Sequence, residues 1–431
     1  MNALTRIAEF VQSRDLAAMP PERFDRVKRH VVDTWAAQMA GARTESGAAV
    51  GRASLDTPSI SGSVDLMSAI VARCAQARCT EIDDIHLTSC TTPGAVVVST
   101  ALALAATGAP AGDGFRAGDF CAAVLAGYES MIRLGIAIDG PAALHTGVWP
   151  TAFAAAFGSA ATASRLMALS VGQTAAALAM SLAFAQHRAV AASPAQSARW
   201  LSLGVAAANG VLAARAAHAG LGGTVDIGAW SARLTRGLGR HFQFDGIGMK
   251  PFPTARQALA AIEAARQIVD DERLTPSDIR RIVVALPEPQ RAVVDRSGFP
   301  ESRFDSIVSV RYQIALAIAA PDRLLDVVRT PLFDTPAVRR LLTRITVTRA
   351  RELDARYPRS WPARVAIEAR GRRHSRTVLD ALGDASRPLG WNHIAAKASA
   401  IAAPIAGTAA TDSLVGEWKA AIPGAPIPRV P

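Results

Sequence analysis

Apolar residues fall at helical spacing from the first turn of the chain, where Leu4, Ile7, Phe10 and Val11 share one face. Ala17 to Pro20 interrupts that pattern, and a second helix is predicted from Pro21 through Phe24, Val27 and Val31 to Met39. Residues 41–65, rich in Gly and Ser, predict a loop. The helical pattern returns over Asp65–Arg78, from about Gly94 to Ala106, and over Asp119–Leu134. After a glycine-rich turn through Asp139-Gly140-Pro141 it covers Thr151–Leu169, Val171–Arg188 and Ala195–Ala219. Pro194 suits the first turn of the last of these, and Gly220, Gly222 and Gly223 end it.

The pattern changes after residue 270. Ile282, Val283 and Val284 predict a strand over Ile279–Leu286, stopped by Pro287, and Ile345–Thr348 alternates as a strand does. Val365–Ala369 and His374–Val378 flank Arg370-Gly371-Arg372 in the manner of a hairpin. Arg256–Ile268, Tyr312–Ala320 and Pro336–Thr343 read as helices, and the pattern is helical again from Asn392 to about Leu414. The chain is therefore expected to be mainly α. A large helical domain of residues 1–270, completed by 386–431, would carry a smaller α/β domain of residues 271–385.

Composition narrows the function classes. Half of the 431 residues are hydrophobic but only 5% are aromatic, so the helices must pack across small side chains. The formal charge of +11 invites nucleic acid, yet Lys28, Lys250, Lys397 and Lys419 are the only lysines. The arginines are scattered, with no basic arm and no interleaved aromatics for base stacking, which argues against nucleic-acid binding. A small anionic substrate, needing one or two arginines, fits the excess. Cys74, Cys79, Cys90 and Cys121 lack metal or redox spacing and read as reduced, mostly buried residues of a cytoplasmic protein. Charged residues among the first twenty argue against a signal peptide. The apolar stretches are punctuated by Gly, Ser, Arg and Gln, so core helices are expected in place of membrane spans.

The run Glu81-Ile82-Asp83-Asp84-Ile85-His86, ahead of Pro93-Gly94, is the foremost candidate for chemistry. Asp84 and His86 can take and return a proton beside an anionic ligand. The plainer reading is a helix cap, with Asp83 or Asp84 on free N–H groups and His86 at the surface. Lys250, in Met249-Lys250-Pro251-Phe252-Pro253-Thr254, is held by rigid neighbours ahead of a helix, where it could bind a carboxylate or oppose oxyanion charge, or simply be a solvated loop lysine. His145 and Trp149 lie at an element end, where Trp149 lines a pocket or plugs the core. No dinucleotide fingerprint is present, since Gly112-Asp113-Gly114 lacks a preceding strand. Neither is a Walker motif, an HExxH metal motif or a nucleophile elbow, so no cofactor and no metal are expected.

The arrangement resembles the MmgE/PrpD family, which includes 2-methylcitrate dehydratase, cis-aconitate decarboxylase and iminodisuccinate epimerase. The resemblance rests on Glu81–Asp84 with His86 and Pro93-Gly94, and on Leu125-Ala126-Gly127-Tyr128-Glu129 with Arg133 and Gly135. It continues through Gly140-Pro141 to Pro150-Thr151, Ala160–Leu169, Gly204–Gly220, Lys250-Pro251-Phe252-Pro253 and Tyr312. It implies a large all-helical domain, a smaller α/β lid domain, a homodimer, and a cofactor-free site between the domains for small di- or tricarboxylic acids. It also implies catalytic roles for Asp84, His86, Lys250 and Tyr312.

The chain departs from the family pattern at several positions. Thr92 stands where the family has a histidine before Pro-Gly, and Trp149 stands where it has His-Pro-Thr. Arg199 replaces a lysine, Ser202 and Leu259 replace histidines, and Thr254-Ala255 replaces a cysteine pair. Threonine and tryptophan cannot exchange a proton near neutrality, and arginine stays charged. Thr92, Trp149, Arg199 and Ser202 are accordingly expected to shape substrate binding, with Trp149 shrinking or apolarising the pocket. The resemblance thus implies a lyase or isomerase acting by α-proton chemistry; the alternative is a non-catalytic, metabolite-binding or structural paralogue.

Overall fold

The computed structural model describes residues 2–55, 65–107, 114–185 and 198–429. Pro194 and the ends of the two helices predicted around it lie outside the described residues, as does Gly112-Asp113. The chain divides into two compact units. One contains the residues up to Met249 together with Gly390–Pro431, and the other contains Lys250–Leu389. The fold is mainly α, with a smaller α/β part.

The helical unit begins with α1 (Ala3–Val11), α2 (Pro21–Gly41), α3 (Glu45–Leu55), α4 (Leu66–Cys79) and α5 (Gly94–Ala106). It continues through α6 (Ala117–Ala137), α7 (Gly140–His145), α8 (Pro150–Leu166), α9 (Val171–Ala183), α10 (Ala198–His218) and α11 (Trp230–Thr235). Two three-residue strands, β1 (Asp84–His86) and β2 (Ile247–Met249), pair antiparallel within it. In the α/β unit follow α12 (Leu259–Asp271), β3 (Ile279–Leu286), α13 (Glu288–Val294), α14 (Arg303–Val308), α15 (Val310–Ala319), α16 (Pro336–Arg344), β4 (Ile345–Arg349), β5 (Ala363–Ala369) and β6 (Arg372–Val378). The chain returns to the helical unit with α17 (Trp391–Ile401), α18 (Ala403–Ala406) and α19 (Thr408–Ala420).

Small residues set the packing of the helical unit. Helices α6 and α8 lie so close that a Cβ on Gly127 would stand 2.0 Å from Thr162 Oγ1, and one on Gly158 would stand 2.7 Å from Met131 Cβ. Among the described residues α6 and α10 are long and apolar enough to cross a membrane; 94% and 61% of their apolar windows are buried within the protein.

Two expectations are corrected here. Part of the predicted 41–65 loop is α3: Thr44 Oγ1 accepts from Gly47 N (3.0 Å), and buried Gly47, Val50 and Ser54 seat the helix. The weak apolar signal misled because close approach is carried by Gly47, whose Cβ would meet Gly41 O at 2.0 Å. The Asp139-Gly140-Pro141 turn starts α7, with Asp139 in a left-handed conformation (φ 56°) and its side chain accepting from Ala142 N.

In the α/β unit the strands run in the order β4-β3-β5-β6, with β3 and β4 parallel and the other pairs antiparallel. The parallel step is possible because α13–α16 provide the crossover. Arg370 and Gly371 both have positive φ (49° and 72°), the backbone of a two-residue turn whose twist suits the β5–β6 hairpin. Helix α12 packs on β5, β6 and α15, so this unit includes a helix that lies before the compositional change at residue 270.

Candidate functional site

Between α4 and α5 the chain turns sharply, with Glu81 (φ 57°) and Cys90 (φ 51°) in left-handed conformations. Strand β1 is held on one side by β2, pairing Asp84 with Met249 and His86 with Ile247. On the other side His86 N donates to Thr91 O (2.9 Å). This returns Pro93-Gly94, the start of α5, to the strand, and Asp84 Oδ1 accepts from Gly94 N at 2.9 Å. A carboxylate at a helix N-terminus also meets the positive end of the helix dipole.

Asp84 is a buried hub. Its Oδ2 accepts from Tyr128 Oη (2.6 Å) on α6 and from His30 Nδ1 (3.0 Å) on α2. Burial and the Asp84 charge push the Tyr128 phenol well above its usual range. Burial lowers the His30 ring, against the opposing pull of Asp84. Next to Asp84 on the α2 side, Asp33 pairs with Lys397 Nζ of α17 (2.7 Å), which also donates to Ile82 O (2.8 Å). The helix-cap reading is thus half realised: the Asp84 carboxylate caps α5 while also joining two other helices, α2 and α6.

His86 is buried, contrary to the surface position which that reading gave it. Its Nδ1 accepts from Ser89 N (3.3 Å) and lies 2.9 Å from Ser89 Oγ, so in the neutral ring the hydrogen sits on Nε2. A Cβ at position 246 would stand 3.1 Å from Nε2, so the backbone at Gly246 closes against that nitrogen. Burial lowers the ring to about 4, with Asp84 opposing. The unfolded chain therefore takes up a proton between its ordinary pKa of about 6.5 and pH 4 that the native protein does not. Stability contributed by His86 is complete above pH 6.5 and falls by about 3 kcal/mol as pH drops through that window. Urea unfolding at pH 7 and pH 4.5 should show this loss in the wild type and a smaller one in His86→Gln; an equal loss in both would refute it.

The substituted positions form a second cluster. Thr92 N and Oγ1 both donate to Thr151 Oγ1 (3.2 and 3.3 Å), joining α5 to the start of α8. Trp149, just before α8, is buried and meets Trp200 edge to face at 6.1 Å. The Arg199 guanidinium lies 3.9 Å over the Trp149 ring, and Arg78 lies 5.4 Å over Trp200. Burial and the neighbouring Arg78 lower Arg199 to about 10. Arg78 is itself tied to Glu81 (2.8 Å) and Asp83 (3.3 Å), and although burial works against its charge, Asp83 and Glu81 raise its pKa. Ser202 lies on α10 three residues after Arg199, partly buried. The structure thus brings Asp84 and His86 together on β1, and Trp149 and Arg199 together around Arg78.

Lys250 and Tyr312 belong to the α/β unit. Lys250 follows directly on β2 and is buried, and its loop is anchored where Pro253 O accepts from Gln313 Nε2 (3.1 Å) and an Arg329 Nη (3.0 Å). Tyr312, on α15, donates to Phe333 O (3.0 Å) and packs edge to face on Phe299. Among the described residues no group of three His, Cys, Asp or Glu side chains could hold a metal ion.

The MmgE/PrpD N-terminal domain matches residues 5–245 and the MmgE/PrpD C-terminal domain matches residues 252–418. The chain belongs to the MmgE/PrpD family. No curated protein matches it. Within this MmgE/PrpD chain, His30, Asp33, Arg78 and Lys397 are site partners that the sequence reading missed, and Tyr128 was seen only as part of a motif. A signal did exist in α2, where the polar residues His30, Asp33 and Thr34 fall close together among the apolar positions Val27, Val31, Val32 and Trp35.

Proposed function

We propose that this MmgE/PrpD chain is a cofactor-independent lyase or isomerase acting on a small di- or tricarboxylic acid by α-proton chemistry, as a homodimer. The observation that carries the reading is the pairing of two buried groups of opposite capability on one three-residue strand. Asp84 accepts from three donors, and His86 is held neutral with its hydrogen on Nε2. Asp84 serves as the base for the α-proton, and the neutral His86 beside it on the same strand adds no competing positive charge. Arg199 binds a substrate carboxylate, while Trp149, Thr92 and Ser202 shape the space beside it. Lys250 and Tyr312 take no step in this reading.

The alternative is a binding paralogue without turnover. It is favoured by the occupied state of the substituted positions, where Thr92 is bonded to Thr151 and Trp149 is stacked under Arg199. Incubation with citrate, malate and succinate in deuterated water separates the two. The enzyme reading expects loss of the α-hydrogen NMR signal of at least one acid with wild type and not with Asp84→Asn. A thermal shift without exchange supports the alternative, and neither response with any acid overturns both.

A further inference from the structure

We propose that His30 is a positioning residue for Asp84, a neutral donor whose Nδ1–H holds that carboxylate in a fixed orientation. The inference rests on the α-proton reading for its catalytic consequence but not for its geometry. A carboxylate only accepts, so the 3.0 Å contact to Asp84 Oδ2 requires the hydrogen on His30 Nδ1. The ring cannot turn away, because Tyr128 meets it edge to face at 5.5 Å and Phe244 packs on it at 5.1 Å. Phe244 is itself fixed by its N–H to Glu129 (2.7 Å).

The far nitrogen decides the charge state. His30 Nε2 is buried and has no hydrogen-bond partner among the described residues. In the neutral Nδ1–H form it carries only a lone pair. In the cation it would be an orphaned N–H in apolar surroundings, which is the costlier arrangement. The groups facing the ring are Asp84 of β1, Tyr128 of α6, and Arg26 and Asp33 of α2, with Asp33 bound to Lys397 of α17. Arg26 opposes a second positive charge, and burial outweighs the pull of the two carboxylates, so the ring is lowered. His30 is thereby suited to hold a base without competing for the proton.

Two measurements on the full-length protein test this. In ring nitrogen NMR of the histidine-labelled wild type, the signals missing from His30→Asn should report a neutral Nδ1–H ring that does not titrate over roughly pH 5 to 8. A ring that titrates there, or one with its hydrogen on Nε2, overturns the proposal. In the deuterium-exchange assay with the same three acids, His30→Ala should lower kcat about 10- to 100-fold with little change in KM, the size of one lost charge-assisted hydrogen bond. His30→Asn, which restores a donor near Nδ1 but cannot titrate, should recover most of that loss. Folded Asn protein as slow as Ala would overturn the donor role. If wild type exchanges no acid, the functional reading fails and the ring spectrum alone decides whether His30 is the fixed donor to Asp84.

Discussion

Asp84→Ala should destabilise the helical unit by about 3–6 kcal/mol, because it strands three buried donors at once. Gly94 N, Tyr128 Oη and His30 Nδ1 all terminate on this carboxylate, and it lies where water cannot replace it, at 2% exposure. Gly94 adds to the constraint: a Cβ there would stand 2.7 Å from Asp84 Oδ2 and 2.8 Å from Tyr128 Oη, so the helix end is fitted to the carboxylate. Asp84→Asn keeps the volume and one carbonyl acceptor for Tyr128 and His30, and should cost about half as much. Urea unfolding of both variants, with unchanged m-values, checks the ordering. An alanine variant within about 1 kcal/mol of wild type would show that the three donors find other partners. The size of the alanine effect also bears on catalysis. Lost turnover in Asp84→Ala would report a disrupted hub as much as a missing base, whereas Asp84→Asn removes the base and disturbs the scaffold less, so it is the more informative variant.

The local elements were legible where one residue decides the backbone. Pro93-Gly94 marks the start of α5, Pro21 sits in the first position of α2, and Arg370-Gly371 turns the β5–β6 hairpin, each for a reason confined to a few residues. Helix α3 was not legible, because its seat is made by Gly47 against Gly41 and Thr44, a contact with no apolar periodicity. The candidate site divides in the same way. Asp84 and His86 stood out as charges beside apolar helix, but their meaning came from residues far along the chain. His30 lies 54 positions before Asp84 and Tyr128 lies 44 after it. Spacing cannot show such pairs. Arg78 is the exception, since it lies three and five residues from Glu81 and Asp83 and its pairing with them was within reach of a local reading. For Trp149 the sequence left pocket and core open, and the structure places the ring in a buried stack with Arg199 and Trp200.

Lys397→Met should cost about 3–5 kcal/mol, the usual consequence of leaving one member of a buried ion pair behind. Asp33 and Lys397 are 2% and 3% exposed and 2.7 Å apart, and the same ammonium donates to Ile82 O, two residues before Asp84. Burial already raises the Asp33 carboxyl, and Lys397 is the principal force drawing it back. Without the lysine, Asp33 should bind a proton in the native state at a pH where the unfolded chain does not. A native state that binds more protons loses stability as pH rises through that interval, so the deficit of the variant should be largest at pH 7 and shrink towards acid. Asp33→Asn on the Lys397→Met background removes the stranded charge and should restore more than half of the loss, which two independent substitutions could not do. Urea unfolding of wild type, Asp33→Asn, Lys397→Met and the double variant at pH 7 and pH 5, each variant referred to wild type at the same pH, gives the coupling directly. A single-variant cost below about 1 kcal/mol, or a double variant no better than Lys397→Met alone, would rule out the pair as a structural tie. The pair matters to the site because it joins α17, which follows the α/β unit in sequence, to α2 and to the run containing Asp84. A loosened α17 would therefore act on the Asp84 hub through Ile82, and the exchange assay should fall in Lys397→Met and recover with the double variant.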